Sequence, residues 1–259
     1  MEVLNPAIDL DVFFQAFKKS RSRVLLSDYD GTLAPFKVAR DEAVPYPGVV
    51  ELLDSIIAKP GSRLVIISGR PVQDVQNLLK LKRPPEIWGS HGWERFKTDG
   101  SYEAFELNEM MTRGLEEARD WLSQSGYTDR SEFKHGCVAL HWRGVGELER
   151  QAIYAHAMAS WTVITKRTGL EIHEFDGGLE LRAPGRNKGD AVKKVLSETG
   201  EAVVSYWGDD YTDEDAFRAL GSAGLSVLVN NNKRPTSADI RLAPPEELLY
   251  MLERWNKAL

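Results

Sequence analysis

The chain has 259 residues, of which 42% are hydrophobic and 28% charged, and a formal net charge of −6 at pH 7. That length and composition suit one large α/β domain, or a core carrying a smaller insertion, and the acidic balance excludes the basic stripe that a nucleic-acid binder needs. One cysteine, Cys137, excludes an intrachain disulfide and points to a reducing compartment. With no signal-like N-terminal segment and no apolar run of membrane-spanning length, a cytoplasmic protein without membrane partners is expected.

Helical spacing of Ile8, Val12, Phe13 and Phe17 predicts a first helix from Ile8 to about Phe17. The basic run Lys18-Lys19-Ser20-Arg21-Ser22-Arg23 reads as a solvated connector. It leads to an apolar strand, Val24-Leu25-Leu26-Ser27, that runs straight into acidic residues. After Pro45 and Pro47, a helix over 49–58 carries Val50, Leu53 and Ile57 on one face. A second apolar strand, Leu64-Val65-Ile66-Ile67, ends at Ser68-Gly69-Arg70-Pro71. Pro71 suits the first turn of a helix bearing Val72, Val75, Leu78 and Leu79. Such alternation predicts a parallel sheet covered on both faces.

Near residue 102 the rhythm changes. Residues 105–183 read as helix, strand, helix, strand, strand, the last two joined by a turn at Asp176-Gly177-Gly178 that implies antiparallel pairing. From Asn187 the alternation returns, with a helix from Asp190 to Ser197, a strand from Val203 to Trp207, a helix, a strand over 225–229, a short strand over 240–242 and a terminal helix from near Pro245. The predicted architecture is a Rossmann-like α/β core with a parallel sheet, residues 1–104 and 184–259, interrupted by an inserted α+β cap, residues 105–183.

In open α/β sheets, ligands bind at the carboxyl ends of the strands, and that edge collects the chemically loaded residues. The first core strand ends in Asp28-Tyr29-Asp30-Gly31-Thr32 and the second in Ser68-Gly69-Arg70. The helix after the insertion starts at Asn187-Lys188-Gly189, and the next strand ends in Gly208-Asp209-Asp210-Tyr211-Thr212-Asp213-Glu214-Asp215. Two like charges ~4 Å apart repel by about 4 kcal/mol at an effective dielectric of ~20, so gathering Asp28, Asp30 and Asp209 calls for a cation. A hard divalent ion with oxygen ligands, magnesium above all, meets that need. Lys188 adds a second positive charge, and Ser68 with the amides beside it offers neutral donors to phosphate oxygens. Asp28 can then attack phosphorus as a carboxylate nucleophile. Asp30 can protonate the leaving oxygen and later deprotonate the hydrolytic water. Gly31 lets the backbone turn away from the strand, and Thr32 can orient the acid.

The run Asp28-Tyr29-Asp30-Gly31-Thr32-Leu33, with Ser68, Lys188, Asp209 and Asp213, resembles the four motifs of the haloacid dehalogenase-like phosphatases. Finer details resemble the trehalose-6-phosphate phosphatase branch: Ala34-Pro35, Pro71 after Ser68-Gly69-Arg70, His91-Gly92-Trp93-Glu94, and Leu179-Glu180-Leu181-Arg182-Ala183-Pro184 leading into Asn187-Lys188-Gly189. The likeness runs in order over roughly residues 24 to 250. It implies a core with an inserted cap, bound magnesium, and hydrolysis of trehalose 6-phosphate to trehalose and phosphate. It makes Asp28 the nucleophile and Asp30 the acid/base, with Lys188 assisting, and Ser68, Gly69 and Lys188 the phosphate binders. Asp28, the Asp30 carbonyl and Asp209 would hold the metal, with Asp213 supporting directly or through water. A monomer is expected, acting on a small sugar phosphate in functional pairing with a trehalose-6-phosphate synthase.

Within the cap, Val138, Leu140 and Trp142 alternate with Ala139, His141 and Arg143, and Leu179 and Leu181 alternate with Glu180 and Arg182. One face is expected to bury itself on the cap helices. The other presents His141, Arg143, Glu180 and Arg182, and both signs of charge suit a polyhydroxylated sugar. Arg70 joins this substrate set, or else pairs with a neighbouring acid. Trp121, Trp142 and Trp161 read as cap core. Phosphatases of the same fold acting on sucrose phosphate or a mannosylglycerate phosphate share the core chemistry, whereas a silent regulatory domain would have lost its aspartates.

Overall fold

Small polar side chains decide where the first elements begin. In the computed structural model, which describes residues 1–37, 39–175 and 177–259, β1 (Glu2–Val3) is followed by α1 (Leu10–Lys19). The Asp9 carboxylate accepts from the amides of Asp11 and Val12, so the helix starts there and leaves Ile8 outside it. β2 (Arg23–Ser27) is buried from Val24 onward. The predicted order then continues through α2 (Val49–Ala58), β3 (Ser62–Ile67) and α3 (Val72–Leu79). Three strands follow that periodicity did not announce: β4 (Glu86–Gly89), β5 (Glu94–Phe96) and β6 (Tyr102–Ala104). At three or four residues each, they are too short for alternation to register.

The middle of the chain supplies α4 (Glu109–Gln124), β7 (Ser131–Lys134), β8 (Cys137–His141), α5 (Glu147–Thr168), β9 (Glu171–Phe175) and β10 (Gly178–Arg182). The last third supplies α6 (Lys188–Thr199), β11 (Val203–Gly208), α7 (Glu214–Leu220), β12 (Gly224–Val229), β13 (Ile240–Leu242) and α8 (Glu246–Ala258).

Among the described residues, the larger sheet has the order β1-β13-β12-β11-β2-β3-β4-β5-β6. Neighbours from β13 to β4 run parallel, and β1 and β5 pair antiparallel beyond them. This is the mostly parallel α/β sheet that the alternation predicted. The chain leaves β2 toward β3 and β4, then re-enters at β11 on β2's other side. A crevice therefore opens at the carboxyl ends of β2 and β11. Ser27 pairs with Trp207, so Asp28 and Asp209 leave adjacent strand ends. On the core side, Trp255 of α8 packs against Phe17 of α1 and Trp207 of β11, with ring centroids 4.5 and 6.3 Å apart.

The described residues divide into two units, Met1–Glu103 with Asn187–Leu259, and Ala104–Arg186. The second unit is an antiparallel sheet of order β7-β8-β10-β9 with two helices. Ala118, Leu122, Ile153, Ala157, Trp161 and Ile164 form the buried faces of those helices. At Gly114 a Cβ would stand 2.7 Å from Thr168 Cγ2, so only glycine allows α4 to approach the end of α5 this closely. Trp142 and Trp161 are buried as expected of cap core. β8 stops at His141, short of the expected Arg143, and the Trp142 amide donates to the Gly177 carbonyl (2.9 Å). Of the expected turn at Asp176-Gly177-Gly178, Gly177 has φ +89° and Gly178 opens β10, while Asp176 lies outside the described residues. Among the described residues, no helix is long and apolar enough to cross a membrane.

Candidate active site

Asp28 directly follows β2, and its amide donates to the Trp207 carbonyl of β11 (2.8 Å). The chain then turns sharply. Leu33 N–H donates to the Tyr29 carbonyl (2.9 Å) and Gly31 N–H to that of Ala34 (2.7 Å). Below the turn, the buried Tyr29 hydroxyl anchors on the Ala43 carbonyl (2.7 Å). Gly31 has φ +79°, and a Cβ there would overlap the Asp209 carboxylate. Only glycine lets that carboxylate close on the Asp28 loop.

Lys188 is the first residue of α6, behind a capping box in which Asn187 accepts from the Asp190 amide (3.0 Å) and Asp190 from the Asn187 amide (3.2 Å). The Lys188 Nζ is buried 3.0 Å from Asp28 Oδ1 and 2.7 Å from Asp213 Oδ1. Asp213 is occupied on both oxygens. Its Oδ1 accepts from Lys188 and from the Tyr206 hydroxyl (2.5 Å), and its Oδ2 from the amides of Asp209 (3.1 Å) and Asp210 (3.0 Å). With its lone pairs so engaged, Asp213 braces the Asp209 loop and the lysine from behind.

Asp28, Asp209 and Asp213 each bring one carboxylate oxygen within 4.8 Å of the others. Burial, opposed by Lys188 and reinforced by Asp213 and Asp30, pushes the Asp28 carboxyl up to about 7. Burial together with the charges of Asp28 and Asp213 lifts Asp209 well above the carboxylate range. Burial also works against the Lys188 ammonium, yet Asp213 and Asp28 outweigh it and hold that group above its ordinary value. The buried Asp209 Oδ1 has no hydrogen-bond partner among the described residues. Four carboxylates, those of Asp28, Asp30, Asp209 and Asp213, face the two cations Lys188 and Arg70. An all-oxygen donor set with excess negative charge and an unsatisfied buried oxygen fits a hard divalent cation.

On the β3 side, Ser68 Oγ accepts from the Arg70 amide (3.1 Å), leaving its own proton to donate. A Cβ at Gly69 would stand 2.6 Å from His91 Cε1, so His91 closes the back of this turn. Arg70 forks onto Asp30, Nε to Oδ2 at 2.6 Å and Nη2 to Oδ1 at 2.7 Å. Of the options the sequence left for Arg70, the structure places it on the neighbouring acid.

In the second unit, the register aligns Glu132, Ala139, Glu180 and His173 across the four strands, and beside them Lys134, Cys137, Arg182 and Glu171. Opposed residues share a face. Lys134 Nζ lies 2.6 Å from Glu180 Oε1 and 3.7 Å from Glu132 Oε2, with His141 Nε2 3.4 Å from Glu132 and Arg182 Nη1 3.8 Å from Glu180. His141, Glu180 and Arg182 thus lie together. Arg143 does not join their ladder: it falls past the end of β8, where a Cβ on Gly177 would overlap its side chain. Sequence reasoning missed Glu132 and Lys134, although His135-Gly136 between two alternating runs was a readable hairpin signal. It also missed Asn230 and Arg234, which pin the Asp209 loop. Asn230 Nδ2 (3.2 Å) and Arg234 Nη2 (3.3 Å) donate to the Asp209 carbonyl, and Arg234 Nη2 also to that of Asp210 (2.9 Å). No motif marks either residue.

A family model described as trehalose-phosphatase matches residues 26–246. The trehalose-phosphate phosphatase of Mycobacterium ulcerans is 32% identical over 236 residues, covering 84% of this chain and 57% of that protein. The bifunctional trehalose-6-phosphate synthase/phosphatase of Thermoproteus tenax is 29% identical over 260 residues, covering 95% of this chain and 34% of that protein. The chain therefore spans from about a third to little more than half of these relatives' lengths. A solved trehalose-6-phosphate phosphatase C-terminal domain from C. albicans shares the fold, with a TM-score of 0.80 at 20% identity over 100% of both chains. With the family match running from inside β2 to the start of α8, and so across every strand end that carries an aspartate of the cluster, the chain belongs to the trehalose-phosphatase family.

Proposed function

We propose that the chain is a magnesium-dependent phosphatase that hydrolyses trehalose 6-phosphate to trehalose and phosphate through an aspartyl-phosphate on Asp28. One observation carries this reading: buried Lys188 pairs with Asp28 beside Asp209, at the strand ends where Asp30 follows two residues on. Asp28 and Asp209 through their carboxylates, and Asp30 through its carbonyl, are the groups that would hold magnesium. When bound, the ion supplies positive charge that offsets the repulsion between a carboxylate nucleophile and a phosphate dianion.

The Lys188 ammonium, the Ser68 hydroxyl and the Gly69 amide bind the phosphate oxygens and turn the phosphorus toward Asp28. An Asp28 oxygen bonds to phosphorus as the bond from phosphorus to the sugar oxygen breaks. That oxygen keeps the electron pair and takes a proton from the Asp30 carboxyl. Water then attacks phosphorus and gives a proton to Asp30. The bond to Asp28 breaks, and its carboxylate is restored.

Residues 105–183 act in this reading as a cap that selects the leaving group. Glu132, Lys134, His141, Glu180 and Arg182 provide donors and acceptors for sugar hydroxyls. A relative named as both synthase and phosphatase supports a functional pairing with a trehalose-6-phosphate synthase. The test is phosphate release from a panel of sugar phosphates, with and without magnesium. Release confined to trehalose 6-phosphate is expected; release confined to a phosphorylated monosaccharide, sucrose phosphate or a nucleotide would refute the substrate.

A further inference from the structure

Arg70 stands where the sequence invites a substrate contact, yet its surroundings describe a different task. Its side chain is only 4% exposed, whereas that of its partner Asp30 is 24% exposed. The guanidinium lies 5.7 Å from the centre of the Tyr29 ring. Its backbone is held at both ends, the amide donating to Ser68 Oγ (3.1 Å) and the carbonyl accepting from the Ser90 amide (2.8 Å). The cation is therefore built in behind, and the carboxylate is what faces outward. Both Asp30 oxygens take one N–H of the fork, at 2.6 and 2.7 Å. A bidentate fork fixes the carboxylate plane as well as its distance. Each carboxylate oxygen has a second lone pair, so the fork leaves one position on each oxygen for a proton.

We propose that Arg70 is a positioning residue for Asp30, fixing the direction in which the proton passes to and from the leaving oxygen, and that it makes no contact with the sugar. This rests on the reading of Asp30 as the acid/base. The step concerned forms the bond from Asp28 to phosphorus and breaks the bond from phosphorus to the leaving oxygen, which keeps the electron pair and takes the Asp30 proton. A p-nitrophenolate leaves readily without that proton. A sugar alkoxide does not.

The experiment is single-turnover release of the leaving group, sugar or p-nitrophenolate, by wild type, Arg70→Gln, Arg70→Lys, Asp30→Asn and the Arg70→Gln/Asp30→Asn pair. Arg70→Gln should slow sugar release about tenfold more than p-nitrophenolate release. Arg70→Lys, a point donor without a fork, should fall between wild type and Arg70→Gln. In the Asp30→Asn background, Arg70→Gln should add less than about twofold, because its effect runs through Asp30. A full additional loss in the paired variant would make Arg70 a substrate contact independent of Asp30, and equal losses on both esters would tie it to the phosphate they share; either result would overturn the proposal. Should trehalose 6-phosphate be refused and another sugar phosphate cleaved, the substrate reading fails while the same comparison on that ester still decides Arg70. A crystal structure of the Arg70→Gln protein with the Asp30 carboxylate still in its present orientation would overturn it independently of turnover.

Discussion

The strand-end cluster around Asp28 and the polar face of the four-stranded sheet use the same kinds of side chain, and they settle their charges in opposite ways. Around Asp28, carboxylates outnumber cations, and burial drives Asp28 and Asp209 upward. On the sheet face, Glu180 lies between Lys134 and Arg182, and Glu132 between Lys134 and His141. The first arrangement carries an excess of negative charge that an added cation would offset. The second is already compensated within the protein, so it can exchange hydrogen bonds with neutral hydroxyls without leaving a bare charge. On the proposed reading, uncompensated charge marks where chemistry is done, and compensated charge marks where a polar group is recognised.

The largest expected effect comes from breaking the first region. Asp28→Asn should lower turnover by about a thousandfold or more, since on the proposed mechanism no neighbouring group can take over the attack on phosphorus; initial rates of phosphate release measure it. On the second region, Glu180→Gln should reduce kcat/KM for trehalose 6-phosphate by about 10- to 100-fold, the cost of unpairing a polar contact in a recognition site. The loss on p-nitrophenyl phosphate should be much smaller. Equal losses on both esters would remove the contrast between the two regions.

Stability sharpens the contrast further. Burial raises Asp28 to about 7, so the metal-free folded protein binds more protons than the unfolded chain between about pH 4 and that value. Metal-free stability should therefore fall as pH rises through the window, and magnesium should restore it. Urea unfolding of wild type and Asp28→Asn in chelator, at about pH 5 and pH 8, should show the variant gaining relative to wild type at the higher pH. A difference independent of pH would mean that the cluster is not frustrated. Away from either site, hydrogen bonds from Arg95 and Arg63 bring Glu198 down to about 2 from 4.5. That contribution is present above the unfolded value and lost as pH falls toward the folded one. Glu198→Gln should cost about 1–2 kcal/mol at neutral pH, and its stability should converge with wild type near the folded value.

The elements most readable in the sequence were those whose burial imposes a long pattern. The apolar runs of β2 and β3 were such cases, and the aspartates at the strand ends followed from them; α2 was readable as a helix, but it buries Val49, Leu53 and Ile56 rather than the expected Val50, Leu53 and Ile57. Short strands such as β5 and the edge strand β6 carry too few residues to show a period, and β7 was hidden because the charged pair Glu132 and Lys134 makes it resemble a loop. Pairings were the least legible. Arg70 and Asp30 lie 40 residues apart and meet only because β2 and β3 are neighbours in the sheet. The fourfold engagement of Asp213 needs Tyr206, Lys188 and two amides brought together by separate elements, which no spacing in the chain records.

The most direct test of the chemistry on Asp28 is to quench the enzyme during turnover of its sugar phosphate with magnesium, reduce it with borohydride, and map the modified peptide by mass spectrometry. The expected result is conversion of the Asp28 side chain to that of homoserine, dependent on substrate and absent from Asp30 and Asp209. Phosphate release with Asp28 unreduced, or reduction at another aspartate, would contradict a phosphoryl group carried on Asp28.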